Sequence, residues 1–159
     1  MLRQLPEVDL DERGRVTGFF GLGIWETPHL LRLDGRQVYG WCAWDTLYIP
    51  PVLGQSARVK SRCPTSGEPI ALTVTPEGVE DVSPGGAVLS ALLPEQGFEA
   101  DVIASFCNLI HFFASEETEA EWAAQHEGKG TFMLSIGDGF ELGLLYTARM
   151  REALERTES

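Results

Sequence analysis

The sequence predicts an α+β fold in which a mixed or antiparallel β-sheet core is flanked by several helices. Three observations indicate this class: short apolar or alternating runs are separated by Gly, Pro and Asp turns, a hairpin signal occurs at Asp34-Gly35, and apolar residues recur at helical spacing near the C-terminus. The chain has 159 residues, shows no repeat or linker, and is long enough to bury its own core. We therefore expect a single domain.

Four of the eight predicted strands pair as two hairpins. Val16–Ile24 is interpreted as one strand interrupted by glycines, which let the backbone bend or another segment approach closely. Asp34-Gly35 suits a tight turn with positive φ angles between strands at 30–33 and 38–41. The other predicted strands are 56–63 and 70–75, joined by a turn at 64–69, and the apolar runs 87–93, 109–113 and 131–136.

Four helices are predicted. The first begins near Cys42 and should end at Pro50-Pro51, because proline cannot donate the backbone hydrogen bond that continues a helix. The others are 101–107, a helix capped by Ser115 that runs to about 126, and an amphipathic terminal helix across 142–154.

Charge and cysteine content exclude several classes of function. The formal net charge of −12 would repel both a nucleic-acid backbone and an anionic membrane surface. The N-terminus has no apolar run of signal-peptide length, and no stretch is long enough to span a membrane. Three cysteines without a close pair do not indicate a disulfide framework. We expect a cytoplasmic protein with free thiols and without a nucleic-acid or membrane partner.

The strongest local feature is the segment from Tyr39 to Asp45, which contains Cys42. A helix that begins near Cys42 places Cys42 and Asp45, three residues apart, on one face. A helix N-terminus lowers the pKa of a thiol, whereas a nearby carboxylate raises it. Such a pair suits a reaction that moves a proton between sulfur and an attacked group. The alternative is a buried cysteine that packs as a small apolar residue, with Asp45 as a helix cap.

The remaining metal-ligating residue types give weaker signals. Cys107 precedes a run of large apolar residues, and two thiols from distant segments bind a soft metal only if the fold brings them together. Cys63 has no second Cys or His two to four residues away, so a structural role is favoured over a zinc site. The histidines match no ligand pattern, and we interpret all three as structural or surface residues: His29, His111 and His126.

Five short blocks, in order along nearly the whole chain, form a pattern more specific than any single cysteine motif. They are Tyr39-Gly40-Trp41-Cys42-Ala43-Trp44-Asp45-Thr46-Leu47, Ala57-Arg58-Val59, Ser61 to Cys63, Ser105-Phe106-Cys107 and His111-Phe112-Phe113-Ala114-Ser115. Together they resemble the catalytic domain of the alkylmercury (organomercurial) lyases, from about Asp9 to about Leu145.

This resemblance implies carbon–mercury lyase activity and a set of catalytic residues. In the family, two cysteines bind the mercury of an organomercurial and an aspartate carries a thiol proton to the carbon; the matching positions here are Cys42, Cys107 and Asp45. The same three residues would hold Hg(II) as product. No cofactor is implied, free thiols are needed for turnover, and a mercuric reductase is the expected acceptor of Hg(II). Cys63 matches a third family cysteine with a structural role.

The resemblance also implies a domain organisation. Residues 1–159 form one catalytic domain, with 1–8 as a loose N-terminal extension. Family members carry a helical N-terminal domain before this region, whereas only a few residues precede the matched segment here. Asn108 replaces a second cysteine that many members carry, and this change should not stop the chemistry. Trp41 and Trp44 are expected to help keep the site apolar.

Two other functions compete with the lyase. A non-catalytic thiolate module of the same fold would sequester Hg(II) or another soft ion such as Cu(I). Asp45 separates the two, because a pure thiolate binder needs no carboxylate three residues from its ligand. A thiol–disulfide redox protein is disfavoured by the absence of a Cys-x-x-Cys motif.

Overall fold

The computed structural model describes residues 8–19, 21–92 and 107–158. Their strands are β1 Val8–Leu10, β2 Val16–Phe19, β3 Leu22–Gly23, β4 Leu30–Leu33, β5 Arg36–Gly40, β6 Ala57–Arg62, β7 Pro69–Thr75, β8 Gly78–Ser83, β9 Val88–Leu92, β10 Phe112–Phe113 and β11 Thr131–Ser135. Their helices are α1 Asp45–Val52, a 3-10 turn Cys107–Leu109, α2 Glu116–Gln125 and α3 Ile136–Glu158.

Two antiparallel sheets organise these strands. The larger sheet has the order β1-β2-β3-β5-β4-β6-β7-β8, and the smaller one has the order β10-β9-β11. Helix α1 packs on β7 and against α3, whereas α2 packs on the smaller sheet. The predicted α+β class with an antiparallel sheet core and flanking helices is confirmed.

The two predicted hairpins form as expected. Asp34 and Gly35 have φ angles of 48° and 74°, which turn β4 back onto β5. Strand β6 pairs with β7 along the whole of β6, from Ala57 opposite Val74 to Arg62 opposite Pro69. Residues of β6 alternate strictly between buried and exposed, because one face packs on the core while the other meets solvent.

Three predictions for individual elements were wrong. Val16–Ile24 is two short antiparallel strands, since Gly21 with φ of 87° reverses the chain. Helix α1 continues past Pro50-Pro51 to Val52, because the proline carbonyls still accept hydrogen bonds from the N–H groups of residues 54 and 55. Residues 109–113 form the end of a 3-10 turn and only a two-residue strand. Strands β1 and β8 were not predicted.

The remaining predicted elements are present where the structure describes the chain. Ser115 caps α2 by accepting a hydrogen bond from the Thr118 N–H, and Thr118 bonds back to Ser115 in a reciprocal cap. Strand β9, strand β11 and the terminal helix agree with the predicted runs, although α3 begins earlier than expected, at Ile136. The helix predicted at 101–107 lies outside the described residues, except for Cys107. No helix among the described residues is long and apolar enough to cross a membrane.

Candidate active site

The turn that carries Cys42 connects β5 to α1. Gly40 at the end of β5 lies against the Thr46 side chain, so that a Cβ at this position would be 2.9 Å from Thr46 Cγ2. The chain then turns tightly, with the Thr46 N–H donating to the Ala43 carbonyl at 3.2 Å. Cys42 therefore lies just before α1, with 1% of its surface exposed. The predicted position near a helix start is confirmed.

Asp45 is the first residue of α1, and its carboxylate folds back over the turn. Asp45 Oδ2 accepts a hydrogen bond from the Cys42 N–H at 3.0 Å, and Asp45 Oδ1 accepts one from the Tyr48 hydroxyl at 2.5 Å. Gly21 lies on another side, where a Cβ would be 2.7 Å from Asp45 Cγ. The carboxylate is thus buried and held by groups from α1, from the Cys42 turn and from the β2–β3 turn.

The segment that carries Cys107 is held by the smaller sheet. Ser90 in β9 donates its hydroxyl to the Leu109 carbonyl at 2.9 Å and accepts from the His111 N–H at 2.9 Å. The Ala43 N–H donates to the Ile110 carbonyl at 3.4 Å, which links this segment to the Cys42 turn. Two segments far apart in sequence therefore meet beside the first turn of α1.

Cys42, Asp45 and Cys107 form one compact group of potential ligands. The two sulfur atoms and a carboxylate oxygen all lie within 4.8 Å of one another, and all three residues are buried. The structure thus brings together the three residues that the resemblance implied as a site. Both sulfurs belong to free thiols.

Burial is the main influence on the Cys42 thiol. It raises the pKa of Cys42 well above its ordinary value, and a hydrogen bond with Cys107 and the negative charge of Asp45 raise it further. A hydrogen bond from the Asp45 backbone opposes these effects and is outweighed. The opposition between a helix N-terminus and a carboxylate, expected from the sequence, is therefore secondary to desolvation. Cys42 keeps its proton at neutral pH unless a base removes it.

Aromatic side chains pack next to Tyr48 and next to Trp41. Trp44 packs edge to face on Tyr48, with ring centroids 5.0 Å apart, and its indole N–H donates to the Gly139 carbonyl of α3 at 3.0 Å. Trp41 stacks with Trp25 at 6.0 Å. Trp44 therefore places an apolar ring against Tyr48, the hydrogen-bond partner of Asp45, whereas Trp41 packs on Trp25.

The glycines of the β2–β3 region allow close approaches, as the sequence indicated. A Cβ at Gly18 or Gly23 would lie about 2.5 Å from the Trp25 ring, so both positions exclude a side chain. At Gly21 the positive φ angle and the adjacent Asp45 carboxylate give a second reason for glycine. The Gly21 contact places the β2–β3 turn directly against the Asp45 carboxylate.

Cys63 lies outside this group, at the end of β6. Its N–H donates to the Glu68 carbonyl and its carbonyl accepts from the Gly67 N–H, both at 2.9 Å, which closes the turn into β7. Burial raises the pKa of Cys63, but hydrogen bonds from Ser66 and the Ala114 backbone outweigh it and bring the pKa to about 7. The structural role predicted for Cys63 agrees with this position in a turn.

The three histidines are not members of the three-residue group, and their rings form a row with Trp122. His29 Nδ1 bonds to Ser61 Oγ at 2.9 Å, and its ring is 6.2 Å from that of His111. His111 contacts the Trp122 ring, on which His126 stacks at 4.1 Å. Their partners are hydroxyl, carbonyl and aromatic groups, in agreement with structural roles.

Tyr48 is the functional neighbour that sequence reasoning missed. The signal was present, because Tyr48 is three residues after Asp45 on the same helix and therefore shares its face. The contacts of α3 with this face were not predictable, since they depend on how the terminal helix packs. Only the fold shows that Gly139 and Gly143 meet α1.

A buried pair of thiols beside a carboxylate defines a thiol site for a soft metal, equipped with a proton acceptor. The family model described as alkylmercury lyase matches residues 24–147. The chain is 42% identical over 153 residues to an alkylmercury lyase of Bacillus cereus, covering 96% of this chain and 68% of that protein. It is 41% identical over 156 residues to one of Pseudomonas putida, covering 98% and 71%. The chain belongs to the alkylmercury lyase family.

A solved structure agrees with this assignment. The mercury-bound form of MerB2 superposes with a TM-score of 0.77 and 26% identity, over 89% of this chain and 68% of that one. The likeness therefore concerns most of the chain and not a single motif.

Proposed function

We propose that this chain cleaves the carbon–mercury bond of organomercurials, with Cys42, Cys107 and Asp45 as the reacting groups. The observation that carries the proposal is the buried group itself, in which two thiols and a carboxylate lie within 4.8 Å of one another. Paired thiolates are the ligands that select soft ions such as mercury. The membership in the alkylmercury lyase family supports the same reaction.

The reaction balances with the groups present. An organomercurial cation R–Hg⁺ and two thiols give R–H, Hg(II) bound by two thiolates, and one released proton. Asp45 takes a proton from a thiol, the sulfur binds mercury, and the Hg–C electron pair takes that proton from Asp45 as the bond breaks. The raised pKa of Cys42 fits this order of steps, because a thiol that keeps its proton needs a base beside it.

Product release and cellular context follow from this chemistry. Hg(II) held by two sulfurs leaves by exchange with free thiols, so turnover requires external thiol, and a mercuric reductase is the proposed acceptor. No organic cofactor enters the balance. The three free cysteines suit a reducing cytoplasm, which is the proposed location.

The decisive experiment is anaerobic incubation of the protein with phenylmercury and excess thiol, with benzene as the measured product. We expect benzene from the parent chain and none from Cys42→Ser, which keeps the size of the side chain but removes the soft ligand. Mercury binding without benzene would show the sequestering module instead.

Asp45 separates the lyase from that module. Asp45→Ala should still bind Hg(II) through the two cysteines, whereas benzene release should fall by about 100-fold to 10,000-fold, the usual contribution of a positioned acid–base group. Equal release by parent and variant would remove Asp45 from the mechanism.

A further inference from the structure

The hydrogen bond between Tyr48 and Asp45 adds a residue to the proposed mechanism. The Tyr48 hydroxyl donates to Asp45 Oδ1 at 2.5 Å, and both residues are buried with 5% of their surface exposed. We propose that Tyr48 is a positioning residue whose hydroxyl fixes the direction of the Asp45 carboxylate relative to the two thiols. This inference rests on the proposed function and names a further residue that the reaction requires.

A carboxylate needs such a restraint in order to transfer a proton accurately. The terminal torsion of an aspartate side chain is broad and roughly two-fold, so its own rotamer preference does not fix the plane of the oxygens. Here a donor holds each oxygen: the Cys42 N–H bonds to Oδ2 and the Tyr48 O–H bonds to Oδ1. These two bonds come from opposite ends of the Cys42 turn and the first turn of α1, so they restrain both oxygens of the carboxylate.

The Tyr48 ring is itself fixed by its neighbours. Trp44 packs against it at 5.0 Å and Tyr146 of α3 at 5.8 Å, measured between ring centroids. Gly143 of α3 lies so close that a Cβ there would be 2.6 Å from Tyr48 Cβ. The terminal helix therefore holds the ring in place, and the hydroxyl has a defined position.

The hydroxyl acts as a donor and not as a proton acceptor. Burial raises the pKa of Tyr48 well above its ordinary value, and the charge of Asp45 raises it further. Tyr48 therefore keeps its proton while Asp45 exchanges one with the thiols. A phenylalanine at this position would preserve the ring contacts and remove only the donor.

The test compares Tyr48→Phe with the parent chain in single-turnover release of benzene from phenylmercury. We expect the release rate to fall by about tenfold to 100-fold, the usual effect of losing a group that orients a reacting ligand. KM and the stoichiometry of Hg(II) binding should be unchanged, because both thiols remain. Tyr39→Phe, which removes a phenol hydroxyl from β5 instead, should match the parent.

A second test uses a variant that moves the Tyr48 ring while keeping its hydroxyl, together with a control on the same helix. Gly143→Ala should slow benzene release, since its Cβ pushes on Tyr48. Gly137→Ala on the same helix should not, because a Cβ there would be 4.0 Å from the nearest atom, Ser135 Oγ. In the Tyr48→Phe background, Gly143→Ala should lower the rate of benzene release little further, because both substitutions act through the contact between Tyr48 and Asp45.

The outcomes separate this inference from the proposed function. A parent chain that releases no benzene overturns the proposed lyase reaction, and the role of Tyr48 with it. An active parent beside an equally active Tyr48→Phe overturns the positioning role alone. A parallel loss of Hg(II) binding and release in Tyr48→Phe also overturns it, because that result shows a structural role.

Discussion

Cys42 and Cys63 are two buried cysteines of the same core whose thiols differ in acidity. Each has 1% of its surface exposed. Burial and the adjacent Cys107 and Asp45 raise the pKa of Cys42, whereas turn hydrogen bonds bring the pKa of Cys63 down to about 7. Equal exposure therefore does not fix the protonation of a thiol: desolvation dominates at Cys42, whereas hydrogen-bond donors outweigh desolvation at Cys63.

In the proposed mechanism the more acidic of these two cysteines is not the reactive one, in contrast to the usual relation between thiol acidity and reactivity. Cys63 has more thiolate at neutral pH, but it lies outside the group of potential ligands. Cys42 has a second thiol and a carboxylate within 4.8 Å. For a soft metal bound to carbon, a pair of sulfurs with a proton carrier matters more than one ready thiolate.

The largest expected effect comes from removing the second thiol. Cys107→Ser should abolish benzene release from phenylmercury, because one sulfur cannot hold mercury as two do. Cys63→Ser is the matched control, because it makes the same chemical change at another buried cysteine and should retain benzene release. The measurement is benzene formed per chain under excess thiol. If Cys63→Ser folds but releases no benzene, Cys63 is also needed for the reaction, and the contrast between the two cysteine sites is wrong.

The next largest loss of activity is expected from a substitution at Gly21, which lies against Asp45. Gly21→Ala places a methyl group 2.7 Å from Asp45 Cγ and forces alanine into a φ of 87°. Displacement of a reacting group by about 1 Å costs on the order of 100-fold in rate, which is the expected loss of benzene release. The strained backbone should also lower stability by about 1–2 kcal/mol in denaturant titration.

Gly35→Ala is the control for that backbone cost. Gly35 has a φ of 74° in the β4–β5 turn, and a Cβ there would have no neighbouring atom within 4 Å, so alanine brings strain without a clash. It should lose similar stability and keep its benzene release. Equal activity losses in the two variants would mean that contact with Asp45 is not the cause.

Much of the fold and the site was predictable from sequence because it is local. The Asp34-Gly35 turn needs only two residues with positive φ, and Cys42 and Asp45 are three residues apart at a helix start. The reversal at Gly21 was missed, since the same glycine pattern also fits one bent strand. Tyr48 was missed for a different reason: its hydrogen bond required knowing that Asp45 folds back over the turn.

The approach of Cys107 to Cys42 was beyond any argument from spacing. It depends on β9, whose Ser90 holds the 107–111 segment, and on the link from Ala43 to Ile110. Both are tertiary hydrogen bonds between segments far apart in sequence. The resemblance to a known family supplied the pairing, and the fold gives its physical cause.

A smaller effect is the loss of folding stability at mildly acidic pH, which we assign to His29. Burial lowers the pKa of His29 from 6.5 to about 3, so the folded state keeps the ring neutral where the unfolded state binds a proton. The stability due to the neutral ring is complete above 6.5 and decreases as pH falls toward 3. The loss at pH 5 is about 2 kcal/mol.

Denaturant titrations at several pH values check this prediction. His29→Gln should show a shallower decline of unfolding free energy between neutral and mildly acidic pH than the parent. Identical slopes in parent and His29→Gln would contradict the assignment of the pH dependence to this ring.

The smallest expected effect tests the cause of the low pKa at Cys63. Ser66→Ala removes one of the hydrogen bonds to the sulfur and should raise the pKa of Cys63 from about 7 toward 9.0, without reaching it because the Ala114 backbone donor remains. Thiolate absorbance in a Cys42→Ser, Cys107→Ser background follows this sulfur alone. Benzene release by Ser66→Ala in the otherwise unchanged chain should equal that of the parent. A pKa that stays near 7 would show that the remaining donors, which are the backbone of Ala114 and Ser66 and the side chain of Thr118, set the acidity of Cys63 without the Ser66 hydroxyl.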